Sequence, residues 1–383
     1  MKEHNMPHQN NIYLDNNATT RIDDRVLDVM LPYLSDSYAN ASSSHLAGLT
    51  IQEAVENARW ETANLIGAKE EEIIFTSGAT ESINLVIKGL ANESHKHIIT
   101  VTTEHKAVLE TCRYMEETGF NLTYLPVAAD GILDPEILAE AITDNTLLVI
   151  IMNVNNETGV IQDLQAISKI VQAKNALLLC DSTQAVGKIP INVKDLGVDF
   201  LPLSAHKFHG PKGVGALYLS AKAKIKITPQ IHGGGQQRKL RSGTLNVPGI
   251  IGLGKSCEIA GREMEANTEK ISALRNQLEE GLLKIEGSFV NGSLLNRIYN
   301  TTNICFPGVN SERLIMALQN ISVSNGSSCS SVISEPSHVL KALGLSDENA
   351  LSSIRFSLSK FTTVEEIEET ISRIHSLIKE LKS

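Results

Sequence analysis

Short apolar runs alternate with amphipathic stretches through the first two-thirds of the chain. The runs occupy 73–75, 97–102, 122–125, 147–152, 176–180, 200–203 and 215–219. They are too short for helices and rich in aliphatic residues, so each predicts a buried strand. Between them apolar residues recur at helical spacing over 81–89, 107–118, 135–141 and 164–173. Strand and helix in alternation predict an α/β fold built on a mainly parallel, seven-stranded sheet. Near position 252 the rhythm changes. A helical pattern runs from 250 to about 285, followed by short strand-like pieces, a helix at 311–319 and an amphipathic helix at 363–381. That change predicts a smaller α+β domain. We expect 15–255 to form the large domain, and 1–14 with 256–383 to form the small one.

Composition narrows the class. With 383 residues the chain is long enough for two domains, and 42% hydrophobic with 20% charged residues marks it as folded. A net charge of −10 without a Lys/Arg block argues against direct nucleic-acid or membrane-surface binding. No apolar run is long enough to span a membrane, and residues 1–11 carry no apolar leader. The five cysteines, Cys112, Cys180, Cys257, Cys305 and Cys329, are odd in number, widely spaced and without a CxxC pair. They predict neither a zinc site nor a disulfide framework, and we expect a reducing, cytoplasmic setting.

Candidate chemistry collects where the predicted strands end. After 200–203 comes Ser204-Ala205-His206-Lys207, and then a Gly/Pro-rich turn. A lysine held there beside positive charge has a lowered pKa and can form a Schiff base with an aldehyde. After 73–75 comes Thr76-Ser77-Gly78-Ala79-Thr80, opening a helix whose first N–H groups suit a phosphate; an ordinary helix cap by Thr76 or Ser77 reads the same residues equally well. After 176–180 comes Asp181, with Gln184 three residues on, where a carboxylate can pair with a protonated pyridine nitrogen or simply cap a helix. His105 follows 97–102 and can stack on a flat ring, and Asn156 and Glu157 follow 147–152. Phosphate cradle, ring platform, pyridinium partner and Schiff-base lysine together call for pyridoxal phosphate.

These residues, in this order, resemble the cysteine desulfurases of the class V aminotransferase group, in the branch that supplies sulfur for iron–sulfur assembly. Further matching pieces are the segments at 13–20, 42–45, 232–236, 241–244, 327–330 and 353–357. The resemblance implies a pyridoxal phosphate-dependent transferase fold (fold type I) and a homodimer. It implies that Lys207 carries the cofactor, Asp181 pairs with the ring nitrogen, Gln184 meets the ring hydroxyl and His105 stacks on the ring. Ala79, Thr80, Ser204 and His206 become the phosphate set, with Thr244 reaching the phosphate of the neighbouring subunit. Asn156 and Arg355 become the holders of the substrate carboxylate, L-cysteine being the substrate.

Cys329 sits in a Gly/Ser-rich stretch, part of a loop at about 322–336 that we expect to be exposed and mobile. It becomes the nucleophile that takes sulfur as a persulfide. No resident metal is implied, Cys329 serving at most as a transient iron–sulfur ligand. The long loop implies transfer to a separate acceptor protein, a scaffold or a sulfurtransferase. The destinations open to such an enzyme are iron–sulfur clusters, tRNA thiolation and DNA phosphorothioation. The rival readings are a selenocysteine lyase, another class V aminotransferase-type enzyme, or a non-catalytic scaffold. Two departures from the family pattern are Ser328, where Ala is common, and Ser359-Lys360, where Gly-Arg is frequent.

Overall fold

The computed structural model of the chain describes residues 11–223, 226–326 and 335–382. A short strand β1 (Ile12–Tyr13) is followed by β2 (Ile73–Thr76), β3 (His97–Val101), β4 (Asn121–Leu125), β5 (Thr146–Ile150), β6 (Leu177–Leu179), β7 (Phe200–Ser204) and β8 (Gly215–Leu219). The seven strands from β2 to β8 form one sheet in the order β2-β8-β7-β6-β5-β3-β4. Only β8 runs against the rest, antiparallel to both β7 and β2. The carboxyl ends of β2, β3, β5, β6 and β7 therefore share one edge of the sheet.

Alternation along each strand explains why the runs are apolar throughout. Ile73, Phe75, Ile99, Val149, Leu178 and Leu201 join one hydrophobic cluster, with the helix Leu46–Leu65 and the start of the long helix Val247–Leu282. Ile74, Ile98, Leu148, Ile150, Leu179 and Phe200 join the opposite cluster, with the helices Ala79–Gly89 and Lys106–Glu117. Both faces are covered, so no polar alternation survives in these strands.

A second body follows. Strands β9 (Phe289–Val290), β10 (Thr301–Cys305) and β12 (Ser353–Ser357) form an antiparallel sheet, and β11 (Ile321–Ser322) pairs in parallel with β1. Their core includes Ile12, Leu14, Ile304 and Phe356, and it takes the long helix from Ile271 onward. The long helix thus serves two cores, its residues up to Ala260 packing in the first. Charged groups tie the bodies together. Lys360 contacts both Asp23 and Glu263, and Arg25 contacts the same two carboxylates. No helix among the described residues is long and apolar enough to cross a membrane.

Two differences from the sequence reading have clear causes. The helix Leu46–Leu65 carries no clean stripe, because Leu46, Leu49 and Trp60 are exposed while Ile51, Val55 and Ala58 are buried. Its cap is also unusual, His45 Nδ1 accepting from the Gly48 N–H at 3.2 Å. The run at 147–152 outlasts its strand, since β5 ends at Ile150 and the Met152 N–H turns to the Glu104 carboxylate.

Candidate active site

Five strand ends meet at one cavity of about 500 Å³. After β7 a single turn, Ala205–Lys207, brings Lys207 to its wall. The Lys207 amine donates to the carbonyls of Asn17 (2.7 Å) and Ala18 (2.9 Å). Burial lowers its pKa from 10.5 to about 8; Arg355 lowers it further, and Asp181 and Asp15 pull the other way. A half-buried, easily neutralised amine is what carbonyl chemistry requires.

Beside it stands the start of the helix Ala79–Gly89. Neither Thr76 nor Ser77 caps this helix; Gly78 holds the cap position without a side-chain bond, and the Ala79 N–H donates to Ser204 Oγ at 2.8 Å. The neighbouring strand comes very close, for a Cβ on Gly215 would stand 2.7 Å from the Gly78 Cα. Ala79, Thr80, Ser204 and His206 all line the cavity there. Small side chains, a hydroxyl and a helix N-terminus make a concave anion site. His206 bonds the Thr19 hydroxyl at 3.1 Å, and burial among lysines lowers its pKa to about 4, so the ring is neutral.

Asp181, after β6, caps no helix. Its Oδ1 accepts from the backbone N–H and the hydroxyl of Thr183, a local turn that fixes the carboxylate on the cavity wall. Gln184 follows, and its amide donates to the Asn17 carbonyl at 2.9 Å. His105, after β3, caps the next helix through Nδ1, which accepts from the Ala107 N–H at 3.0 Å. That bond places the ring proton on Nε2. Desolvation lowers the His105 pKa, opposed by Asp181.

The last wall comes from distant segments. Arg355, on β12, donates to the Asn156 carbonyl at 3.0 Å and pairs with Asp15 at 2.5 Å. Asn156 thus meets Arg355 through its backbone. Arg355 is buried, and among the described residues its Nε has no hydrogen-bond partner. A buried guanidinium on the wall of a cavity suits a carboxylate ligand.

Thr244 stands apart. It is exposed and not part of the cavity wall, although nearby Arg241 pairs with Glu81 in the first turn of the cradle helix. Cys329 lies outside the described residues, and its chain neighbours Ser324 and Gly326 line the cavity. Cys112, Cys180, Cys257 and Cys305 are buried free thiols. Burial pushes Cys112 and Cys257 to about 12 and Cys305 to about 11, and Cys180 upward as well, so all four are inert.

The sequence reading missed four members of this neighbourhood. Asn17 acts through its backbone carbonyl, which leaves no side-chain signal. Asp15 pairs with a residue 340 positions away. Glu104, wholly buried behind His105, accepts from the Met152 N–H, and burial beside Asp181 raises its pKa well above normal. Lys188 is buried and bonded to Gln184. Its signal was present, a lysine among Ala185, Val186, Gly187 and Ile189.

Comparison with known proteins defines the class. The profile of the aminotransferase class-V family matches residues 12–370, and the chain belongs to that family. It is 50% identical over 377 residues to the cysteine desulfurase IscS of Pasteurella multocida (strain Pm70), covering 97% of this chain and 93% of that one. Among solved structures it resembles a NifS-like protein with a TM-score of 0.91 and 40% identity, over 97% of this chain and 100% of the other. It also resembles SspA in complex with cysteine, with a TM-score of 0.81 and 37% identity, over 92% of this chain and 100% of that one.

The family implies pyridoxal phosphate, and the residues fit it. Lys207 would supply an amine for the aldehyde, Asp181 a carboxylate for the ring nitrogen, and the Ala79 turn a cradle for the phosphate.

Proposed function

We propose that the chain is a pyridoxal phosphate-dependent cysteine desulfurase, converting L-cysteine to L-alanine and passing the sulfur to an acceptor protein. The observation that carries this reading is the depressed, carbonyl-held amine of Lys207 on one cavity with Asp181 and the buried Arg355. The curated relatives named as cysteine desulfurases support the substrate and the reaction.

When bound, pyridoxal phosphate supplies an electron sink conjugated to the substrate Cα. Lys207 would anchor it, and Ala79, Thr80, Ser204 and His206 would hold its phosphate. Asp181 would keep the ring nitrogen protonated, Gln184 would donate to the ring oxygen, and His105 would pack on the ring. Arg355, with Asn156 beside it, receives the substrate carboxylate and so fixes which bonds of cysteine face the chemistry. With substrate in place, the Lys207 amine would move the proton at Cα, with His105 as a second proton carrier. The Cys329 thiolate then attacks the substrate sulfur. A Cys329 S–S bond forms and the substrate Cβ–S bond breaks. Its electron pair stays with the three-carbon skeleton, which takes up protons and leaves as alanine. Cys329 is left as a persulfide for an acceptor, a scaffold or a sulfurtransferase. We assign Thr244 to the phosphate site of a second copy, which makes the working unit a homodimer. We place the division between large and small domains at 255/256, with residues 1–14 in the small one.

The test is to incubate the purified protein with L-cysteine and dithiothreitol, recording the visible spectrum and assaying alanine and sulfide. Formation of both, lost in Cys329→Ser while the visible band persists, supports the reading. Undiminished alanine formation by Cys329→Ser would instead favour lyase chemistry without a protein sulfur carrier.

A further inference from the structure

Lys188 lies behind the cavity with its amine in the protein interior, 6% exposed as a residue. Its recorded bond is to Gln184 Oε1 at 2.7 Å. No carboxylate among the described residues forms an ion pair with it. Lys207, Arg355, His206 and His209 lie near it, and Lys360 and Tyr299 line the same small pocket, so its charged neighbours there are cations. A lysine in such company costs stability, and burial with these neighbours brings its pKa down to about 7. A residue of that kind calls for an explanation beyond packing.

The geometry of Gln184 supplies one. Gln184 and Lys188 are four residues apart on a helical turn, in which Val186 N bonds Ser182 O and Lys188 N bonds Ala185 O. The Gln184 amide is held at both ends, Nε2 donating to Asn17 O at 2.9 Å and Oε1 accepting from Lys188 Nζ at 2.7 Å. An amide can flip by 180° at little cost unless both ends are engaged. Charged lysine only donates, and the Asn17 carbonyl at the other end only accepts, so the two together keep Oε1 turned toward Lys188. The second N–H of Nε2 is then the group left for the cavity that Gln184 lines. The same Asn17 carbonyl accepts from Lys207 at 2.7 Å, so the flip state of this amide is linked to the seat of the reactive lysine.

We propose that Lys188 is a positioning residue that locks Gln184 with its N–H toward the cavity. The site then presents a donor, and never an acceptor, to the oxygen substituent of the bound pyridine ring. A fixed donor favours that oxygen as a phenolate over a hydroxyl. It thereby lowers the pKa of the Schiff base whose proton the phenolate shares. This inference rests on the pyridoxal reading of Lys207, Asp181 and Gln184.

The test follows the visible absorption band of the pyridoxal-bound protein against pH, in wild type, Lys188→Met, Gln184→Leu and the double variant. Lys188→Met should raise the titration midpoint by about one unit. Two causes have the same sign, the amide becoming free to present an acceptor and a neighbouring cation being removed. In the Gln184→Leu background, Lys188→Met should lose at least half of that shift, because its main target is gone. An unmoved midpoint in Lys188→Met overturns the proposal. So does a shift of full size in both backgrounds, which would make Lys188 a distant charge and nothing more. Should Lys188→Met fail to fold, as judged by its melting curve, Lys188→Leu, which likewise has no donor, carries the same measurement. A wild-type protein with no visible band at all would instead sink the cofactor reading on which the inference stands.

Discussion

The cavity has two sides, and they are built differently. The side we assign to the cofactor takes Ala79, His105, Asp181 and Lys207 from residues just beyond four strands of one sheet. Each is placed by its strand and the turn that follows, so the set is as rigid as the sheet. The substrate side takes Asp15, Asn156 and Arg355 from three segments spread over 340 positions, joined by one ion pair and a shared carbonyl. The first side survives local change at any one member, whereas the second depends on the small sheet docking correctly against the large one. Function asks for that contrast. A cofactor stays for many turnovers, but a substrate must enter and leave.

The sharpest break is Lys207→Ala. Its removal should reduce alanine formation by about 10⁴-fold or more, because it takes away both the covalent anchor and the base. Mass spectrometry after borohydride reduction should find no covalent cofactor in the variant and one per chain in wild type. Arg355→Ala should act mainly on the other side, with a smaller rise in the Lys207 pKa as the neighbouring cation goes. It should cut kcat/KM for L-cysteine by about 100-fold, the loss of a charged bidentate partner, while the visible band stays. A band lost together with activity in Arg355→Ala would show that the two sides are not separable.

That separability also explains what the sequence made legible. An apolar run followed by small or polar residues announces both the strand and the site at its end, so Lys207, Asp181, His105 and the Ala79 turn could be read locally. The seven strands were legible for the same reason. Arg355 became a candidate only through family resemblance, because nothing within β12 points to Asp15 or Asn156. Carbonyl partners such as Asn17 were beyond reach, since every residue carries one. The helix Leu46–Leu65 escaped because apolar residues on its outer face blur its period.

A smaller effect concerns pH. Loading of cofactor-free protein needs the neutral Lys207 amine, and burial brings its pKa to about 8. The rate of appearance of the visible band should therefore rise about tenfold per unit below that value and level off above it. A plateau delayed to the ordinary lysine range would mean that the amine is solvated. The smallest effect on chemistry should come from the bridge between the two bodies. Arg25 foremost, and Lys360 with it, hold the Asp23 carboxyl well below its usual range. A depressed carboxylate stabilises the fold above its ordinary pKa, and the contribution disappears as pH falls through the folded value. Asp23→Asn should lower stability by about 2 kcal/mol in urea titrations at pH 7, with less difference in acid. Its effect on kcat/KM should exceed its effect on cofactor retention, since only the substrate side relies on the docking.

One feature of the cofactor side reaches further. The carbonyls of Asn17 and Ala18 give the Lys207 amine a berth whenever it is not covalently engaged. A lysine ejected by substrate could swing into solvent, lose its low pKa and return slowly. Here it has a mooring on the same cavity wall. The loop that carries the berth also supplies Asp15 to the substrate arginine. The proposed anchor and the proposed substrate arginine therefore share one short loop, so a change at residues 15–18 should be felt on both sides of the cavity.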